Sequence, residues 1–207
     1  DVERSRGLGD VYKRQVQKEL GAVNAVCFDI GGAACTGFVL AYNTAEAYLE
    51  SGIYRTALVI GSESLSCITN WKDRGTCILF GDGAGAAVVR RDERKLYLPA
   101  AHTDGARGEA LTCQSRCEAN GLTREMDPEA MVDEAHFMQM DGQAVFKFAV
   151  KRVPEVIREV LERNHLEAKD IDYYIVHQAN KRIIESVAKR LGAVSYKHLR
   201  AHETSLH

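Results

Sequence analysis

Two rhythms of apolar residues run through the chain. From Thr36 to Ser51 they recur at helical spacing, with Phe38, Ala41, Tyr42, Ala45, Tyr48 and Leu49 on one face and Gly52 placed to end the helix. Before it, VNAVCFDI (23–30) is a short continuous apolar run that reads as a buried strand. RTALVIGSES (55–64) and GTCILFGDGAGAAVVRR (75–91) read as two more strands, the second with glycines that permit sharp bends or close backbone approach. The polar segment 91–95 is the best internal boundary. Beyond it come a strand-like KLYLPAAHTD (95–104), a polar loop, and a long helix from about Asp141 to Asn164 that starts anew or kinks at Pro154. The strand IDYYIV (171–176) and a helix from about Asn180 to Leu191 follow. Helices alternating with apolar strands imply a layered α/β sandwich.

The two ends break this pattern. DVYKRQ (10–15) and VSYKHLRAHETSLH (194–207) lack apolar periodicity and resemble translated sequencing-adapter sequence. Residues 1–15 and 194–207 are therefore expected to be non-native tails, with 16–91 and 92–193 as parts of an N-terminal and a C-terminal half, an internal piece of a longer protein.

Composition narrows the function classes. At 45% hydrophobic and 27% charged residues the chain has the make-up of a soluble globular protein. A formal charge of -2 without a long basic block gives no support for nucleic acid or an anionic membrane surface as partner. No apolar run approaches bilayer length and no signal-peptide pattern opens the chain, so the cytoplasm is the expected compartment. Of the six cysteines, Cys27, Cys35, Cys67 and Cys77 lie in or beside apolar segments, where a free thiol behaves as a small hydrophobe. Cys113 and Cys117 have no second pair to complete a metal site, and no metal or other cofactor is expected.

Cys35 sits where the first strand gives way to a helix, and a helix N-terminus favours the thiolate. The small residues Gly31 to Ala34 and Gly37 leave room for a carbonyl to approach. A buried structural cysteine fits the same pattern, and the residues before and after it do not decide. His177 opens HQANKRI at the C-terminal end of a strand, where α/β proteins put their ligands. A lone histidine is more often structural, but Gln178 and Asn180 add amide donors and Arg182 adds a cation on the same element. A cysteine and a histidine at matching strand ends suit covalent acyl transfer.

AACTGF, DRGTCILFGDGAGAAVV, MDGQAVFKFAV and HQANKRIIESVAKRLG, in that order, resemble the β-ketoacyl-acyl-carrier-protein synthase III family of thiolase-fold condensing enzymes. The resemblance covers nearly everything between the tails. GDGAGA lacks the lysine of a phosphate loop and the spacing of a dinucleotide fingerprint. The resemblance implies a thiolase-like layered α/β sandwich, incomplete at both ends, and a Cys-His-Asn site. Cys35 would take an acyl group from acyl-coenzyme A, its own N–H contributing to the oxyanion hole. His177 would hydrogen-bond the malonyl thioester carbonyl of malonyl-acyl carrier protein during decarboxylation. Arg74, Gly75, Phe146, Ala179, Asn180 and Arg182 match positions around the pantetheine channel. Phe146 reads equally well as a core aromatic, because the helix face it occupies is otherwise apolar. A homodimer is implied as well.

The sequence departs from the family in three ways. It contains no GNTSAAS-like turn to supply the catalytic asparagine and no second glycine-rich loop for the oxyanion hole, so the chain alone is expected to be inactive in condensation. Two residues, Gly31 and Gly32, separate DI from AAC where the family has one, which calls for a bulge if Cys35 is to keep its direction. Val176 meets His177 without the proline common in the family. Related readings are a type III polyketide synthase or a hydroxymethylglutaryl-coenzyme A synthase type of acyltransferase. A different one is a non-catalytic acyl-binding or interaction module.

Overall fold

The structure is a computed structural model that describes residues 15–31, 34–93, 97–113 and 137–192. These fall into two compact units, neither continuous in sequence. The first gathers 15–31, 34–64 and 82–91; the second gathers 65–81, 92–93, 97–113 and 137–192.

In the first unit, α1 (Gly37–Glu50) follows a single 3-10 turn, Ala34–Thr36. The helix ends as its sequence predicts: the Ser51 N–H bonds to Ala47 O and Gly52 adopts φ 77, a left-handed conformation that glycine enters without strain. Ala45 and Leu49 are buried on the expected face, while Phe38 and Tyr48 stay 42% and 37% exposed. β1 (Thr56–Ser64) pairs antiparallel with β2 (Asp82–Arg90), in register from Thr56↔Arg90 to Ser64↔Asp82. α1 packs on β1, with Phe38 over Gly61, where a Cβ would stand 3.4 Å from the ring. Val59 is the buried residue of the strand.

The expected strand at 23–30 is not there. Residues 25–30 carry no ladder, and Val23, Val26 and Phe28 are 83%, 65% and 51% exposed. A run apolar on both faces is stable as a strand only in a sheet covered on both faces, and among the described residues no strand pairs with it. Phe28 is held by a tilted ring contact with Tyr48 at 5.8 Å, which in turn meets Tyr54 at 5.5 Å.

The strand expected over 75–91 is shorter at its start. Its first part is a turn in which Asp73 O accepts the N–H groups of Thr76 and Cys77 at 3.2 and 2.9 Å, and Thr76 O accepts that of Leu79 at 2.9 Å. Only from Asp82 does the ladder begin. The glycines of this run do not bend it: Gly83 and Gly85 pair regularly with Glu63 and Gly61, and a Cβ at Gly81, Gly83 or Gly85 would meet nothing within 4 Å.

In the second unit, β3 (Leu111–Thr112) pairs with β4 (Gln139–Met140), and α2 (Gly142–Arg163) begins at once. Asp141 caps it, accepting from the N–H groups of Gln143 and Ala144 at 2.9 and 3.0 Å. The helix passes through the buried Pro154 as one element instead of starting anew. It packs on α3 (Lys181–Leu191), burying Val150 and Pro154 of one and Ile184, Val187 and Ala188 of the other. Arg158 donates to Arg190 O at 2.8 Å, and Gly192 at φ 64 closes α3.

The strand expected at 95–104 is an irregular segment over its described residues, 97–104. A side chain takes the place of a neighbouring strand there. Asn164, only 4% exposed, accepts from the Leu98 N–H at 2.7 Å and donates to Leu98 O at 2.9 Å. The expected strand at 171–176 reduces to one bridge residue, Tyr174, with Tyr173 and Ile175 60% and 77% exposed. As at 23–30, an apolar run lacks the ladder that would bury it. Among the described residues no helix is long and apolar enough to cross a membrane. Gly32, Lys95, Cys117, the loop 114–136 and most of both tails lie outside the described residues.

Candidate active site

Cys35 is a free, exposed thiol in the 3-10 turn that leads into α1. Thr36, the residue at the N-cap position, has helical angles (φ -96, ψ -1) and makes no capping bond with its side chain. The first N–H groups of a helix have no partner within it, and the Thr36 side chain does not serve them. Ala34, immediately before the cysteine, adopts φ 38, a conformation that costs a residue with a Cβ about 1 kcal/mol or more. Among the described residues no paired strand leads to this turn.

His177 is exposed in the irregular stretch between Tyr174 and α3. Gln178 donates its amide back to Val176 O at 2.9 Å. Asn180 caps α3, its Oδ1 accepting from the Arg182 N–H at 2.8 Å. Its carbonyl is thereby spent on the helix start, a structural duty added to the binding role expected of it. Ala179 and Arg182 are exposed on the same turn.

Arg74 and Gly75 occupy the turn between β1 and β2, and Phe146 is half-buried in the second turn of α2. His177, Ala179, Asn180, Arg182, Arg74, Gly75 and Phe146 thus all belong to the second unit, on three separate elements, and Cys35 belongs to the first.

Asp73 is a residue that reading the motifs passed over. Its Oδ1 accepts the Gly75 N–H at 2.8 Å and its Oδ2 accepts the Thr76 hydroxyl at 2.7 Å. The hydroxyl first, and then the N–H, hold the Asp73 carboxyl below its usual range. The signal was present: an aspartate two residues before a glycine favours this turn. Gly75 has a structural reason of its own, since a Cβ there would come within 3.1 Å of Asp73 Oδ1.

Two family models match the chain. 3-Oxoacyl-[acyl-carrier-protein] synthase III covers residues 28–105, and its C-terminal counterpart covers residues 161–204, past residue 193. A β-ketoacyl-[acyl-carrier-protein] synthase III of Clostridium acetobutylicum is 46% identical over 178 residues, 86% of this chain and 53% of that protein. The chain belongs to the β-ketoacyl-acyl-carrier-protein synthase III family.

Solved structures agree on the fold. The 3-oxoacyl-[acyl-carrier-protein] synthase III of Aquifex aeolicus superposes with a TM-score of 0.74 at 37% identity, covering 90% of this chain and 55% of that one. A priming β-ketosynthase from the R1128 polyketide pathway gives 0.76 at 34% identity, covering 90% and 54%. The fold is therefore thiolase-like α/β, although three of the expected strands, at 23–30, 95–104 and 171–176, form no ladder among the described residues. The chain spans about half the length of the curated relatives it matches.

Proposed function

We propose that the protein is a β-ketoacyl-[acyl-carrier-protein] synthase III, condensing acyl-coenzyme A with malonyl-acyl carrier protein to initiate fatty-acid synthesis. The observation that carries the reading is Cys35, exposed at the uncapped start of α1 in a chain of this family. The Cys35 thiolate attacks the thioester carbonyl, and coenzyme A leaves as its thiol after taking up a proton. Backbone N–H groups at the start of α1 stabilise the oxyanion. Malonyl-acyl carrier protein then loses carbon dioxide, with His177 donating to the thioester carbonyl as it becomes an enolate. The enolate carbon bonds to the acyl carbon, the C–S bond to Cys35 breaks, and the thiolate returns. Arg74, Gly75, Phe146, Ala179, Asn180 and Arg182 line the coenzyme A and pantetheine path.

The halves 16–91 and 92–193 are the cysteine-bearing and histidine-bearing parts of one pseudo-symmetric domain. The repeated strand-helix order of the sequence supports this, and the chain passes from one compact unit to the other after Arg91, with residues 65–81 of the first half already in the second unit. The working form is a cytoplasmic homodimer. Leu58, Ile60 and Val88, which stand 43%, 44% and 73% exposed, are the kind of surface such contacts cover. Light scattering on a gel-filtration column tests it, and a well-behaved monomer at micromolar concentration counts against it.

Radiolabelled acetyl-coenzyme A with malonyl-acyl carrier protein, followed separately for acyl transfer and condensation, tests the reaction. The chain alone is expected to stop at the acyl-enzyme, because decarboxylation draws on an asparagine that its motifs do not include. Robust condensation would overturn that assignment. The likeness to a priming ketosynthase of a polyketide pathway supports a second reading, in which the same chemistry primes polyketide assembly; a panel of acyl-coenzyme A donors and carrier proteins separates the two.

A further inference from the structure

We propose that Asp73 is a positioning residue for Arg74, holding the turn that presents the guanidinium to the coenzyme A part of the substrate. The inference rests on the function proposed above. Arg74 is exposed and makes no hydrogen bond or ion pair among the described residues. A carboxylate directly beside an arginine would ordinarily compete for it. Here both carboxylate oxygens face the other way, one on the Gly75 N–H and one on the Thr76 hydroxyl. Thr76 is 1% exposed, so the turn is fastened to the interior of its unit through a buried hydroxyl. The Asp73 carbonyl adds a second tie, accepting from Thr76 and Cys77. The Asn70 side chain orders the preceding step, accepting the Lys72 N–H at 3.0 Å. Backbone is thus fixed on both sides of Arg74 while its five N–H donors remain unspent. An arginine whose backbone is already ordered loses less freedom on binding an anionic or planar ligand than one on a loose loop. Gly75 completes the device, because a side chain there would press on the carboxylate.

The test is equilibrium binding of coenzyme A to the whole chain and its variants, with circular dichroism to verify folding. Arg74→Ala is expected to weaken binding about tenfold, the loss of a charge-assisted contact, and Asp73→Ala by a similar factor. The double variant is expected to bind no worse than Arg74→Ala alone, since a positioning residue acts only through the group it positions. Asp73→Asn, which keeps the acceptor for the Gly75 N–H, should recover part of the loss. If Asp73→Ala does not fold, Gly75→Ala displaces the carboxylate and is read in the same cycle with Arg74→Ala. Unchanged binding by Asp73→Ala beside a weakened Arg74→Ala overturns this inference alone, as does a further loss in the double variant, which marks general disruption. Unchanged binding by Arg74→Ala, or no binding by the unaltered chain, overturns the assignment of Arg74 and this inference with it.

Discussion

The helices that follow Cys35 and His177 begin in opposite ways. α3 starts from an extended Asn180 whose side chain accepts the Arg182 N–H, the usual solution for the unpaired donors of a first turn. α1 starts from a 3-10 turn with a strained Ala34 and no side-chain cap. α2 resembles α3, with Asp141 accepting from two N–H groups. The uncapped helix start is the one beside the candidate nucleophile. A cap stabilises a helix by occupying donors, and an oxyanion site uses donors that are not occupied. The two demands compete for the same N–H groups, and on the function proposed above the start of α1 serves the second.

Breaking the contrast at its chemical end gives the largest expected effect. Cys35→Ser should abolish acyl-enzyme formation from labelled acetyl-coenzyme A, whereas Cys67→Ser and Cys113→Ser should leave it intact. Label retained by Cys35→Ser would assign the nucleophile elsewhere. In the unaltered chain, iodoacetamide followed by peptide mapping should find Cys35 reacting about fivefold faster than the other thiols, the factor matching ~1 kcal/mol from a helix N-terminus. Thr36→Asp supplies the missing acceptor and a negative charge, and is expected to remove that advantage.

Next in size is the packing under the capped helix. Ile184 is 4% exposed between α3 and α2, so Ile184→Ala should cost about 2–5 kcal/mol in urea unfolding. A smaller loss would mean that the α2–α3 contact collapses around the cavity. The capping contrast itself is worth less. Asn180→Ala should cost about 1 kcal/mol, because its side chain caps α3. No measurable loss would mean that the cap adds nothing.

The smallest effect is a dependence on pH. A hydrogen bond from His102 first, and then the charge of Arg163, hold the Glu159 carboxyl below its usual range. A lowered carboxyl stabilises the fold above its ordinary titration range and loses that contribution as pH falls through the depressed value. Glu159→Gln should therefore flatten the acid limb of the thermal midpoint against pH without moving the neutral plateau much, since these side chains are at the surface. An unchanged acid limb would show that the cluster adds nothing.

What could be read from the chain beforehand divides along physical lines. Three helices were legible within a residue or so because each carries its own period and its own stop or start: Gly52 after α1, Asp141 before α2, Asn180 before α3 and Gly192 after it. The strands β1 and β2 were legible but not their pairing, and the second was read too long because Thr76 to Phe80 is as apolar as a strand. A side-chain acceptor at Asp73, which apolar counting does not see, turns that run instead. The runs 23–30 and 171–176 failed for another reason. An apolar run states that it is to be buried but not by what, and their ladders require partners that the described residues do not contain. At the site, Cys35 and His177 stood out by residue type and position, and the motif resemblance brought in Arg74 and Phe146. Asp73 did not stand out, because its contribution is made entirely through its neighbours.

The path of the chain between its two compact units has a practical consequence. Residues 65–81 belong to the second unit, yet they leave and re-enter the first at the ends of β1 and β2. No single cut in the gene therefore yields either unit as one uninterrupted piece. A stop codon placed after β1 deprives the hairpin of its second strand, and one placed before β2 also strands a segment whose packing partners are encoded further on. Among the described residues, shortening the protein from its C-terminus takes away the second unit first, whereas a two-residue turn joining Ser64 to Asp82 would excise the intervening segment and leave the first unit encoded without it. A bypassed gene of this kind, more than any truncation, is the form in which the cysteine-bearing unit could be made and handled separately.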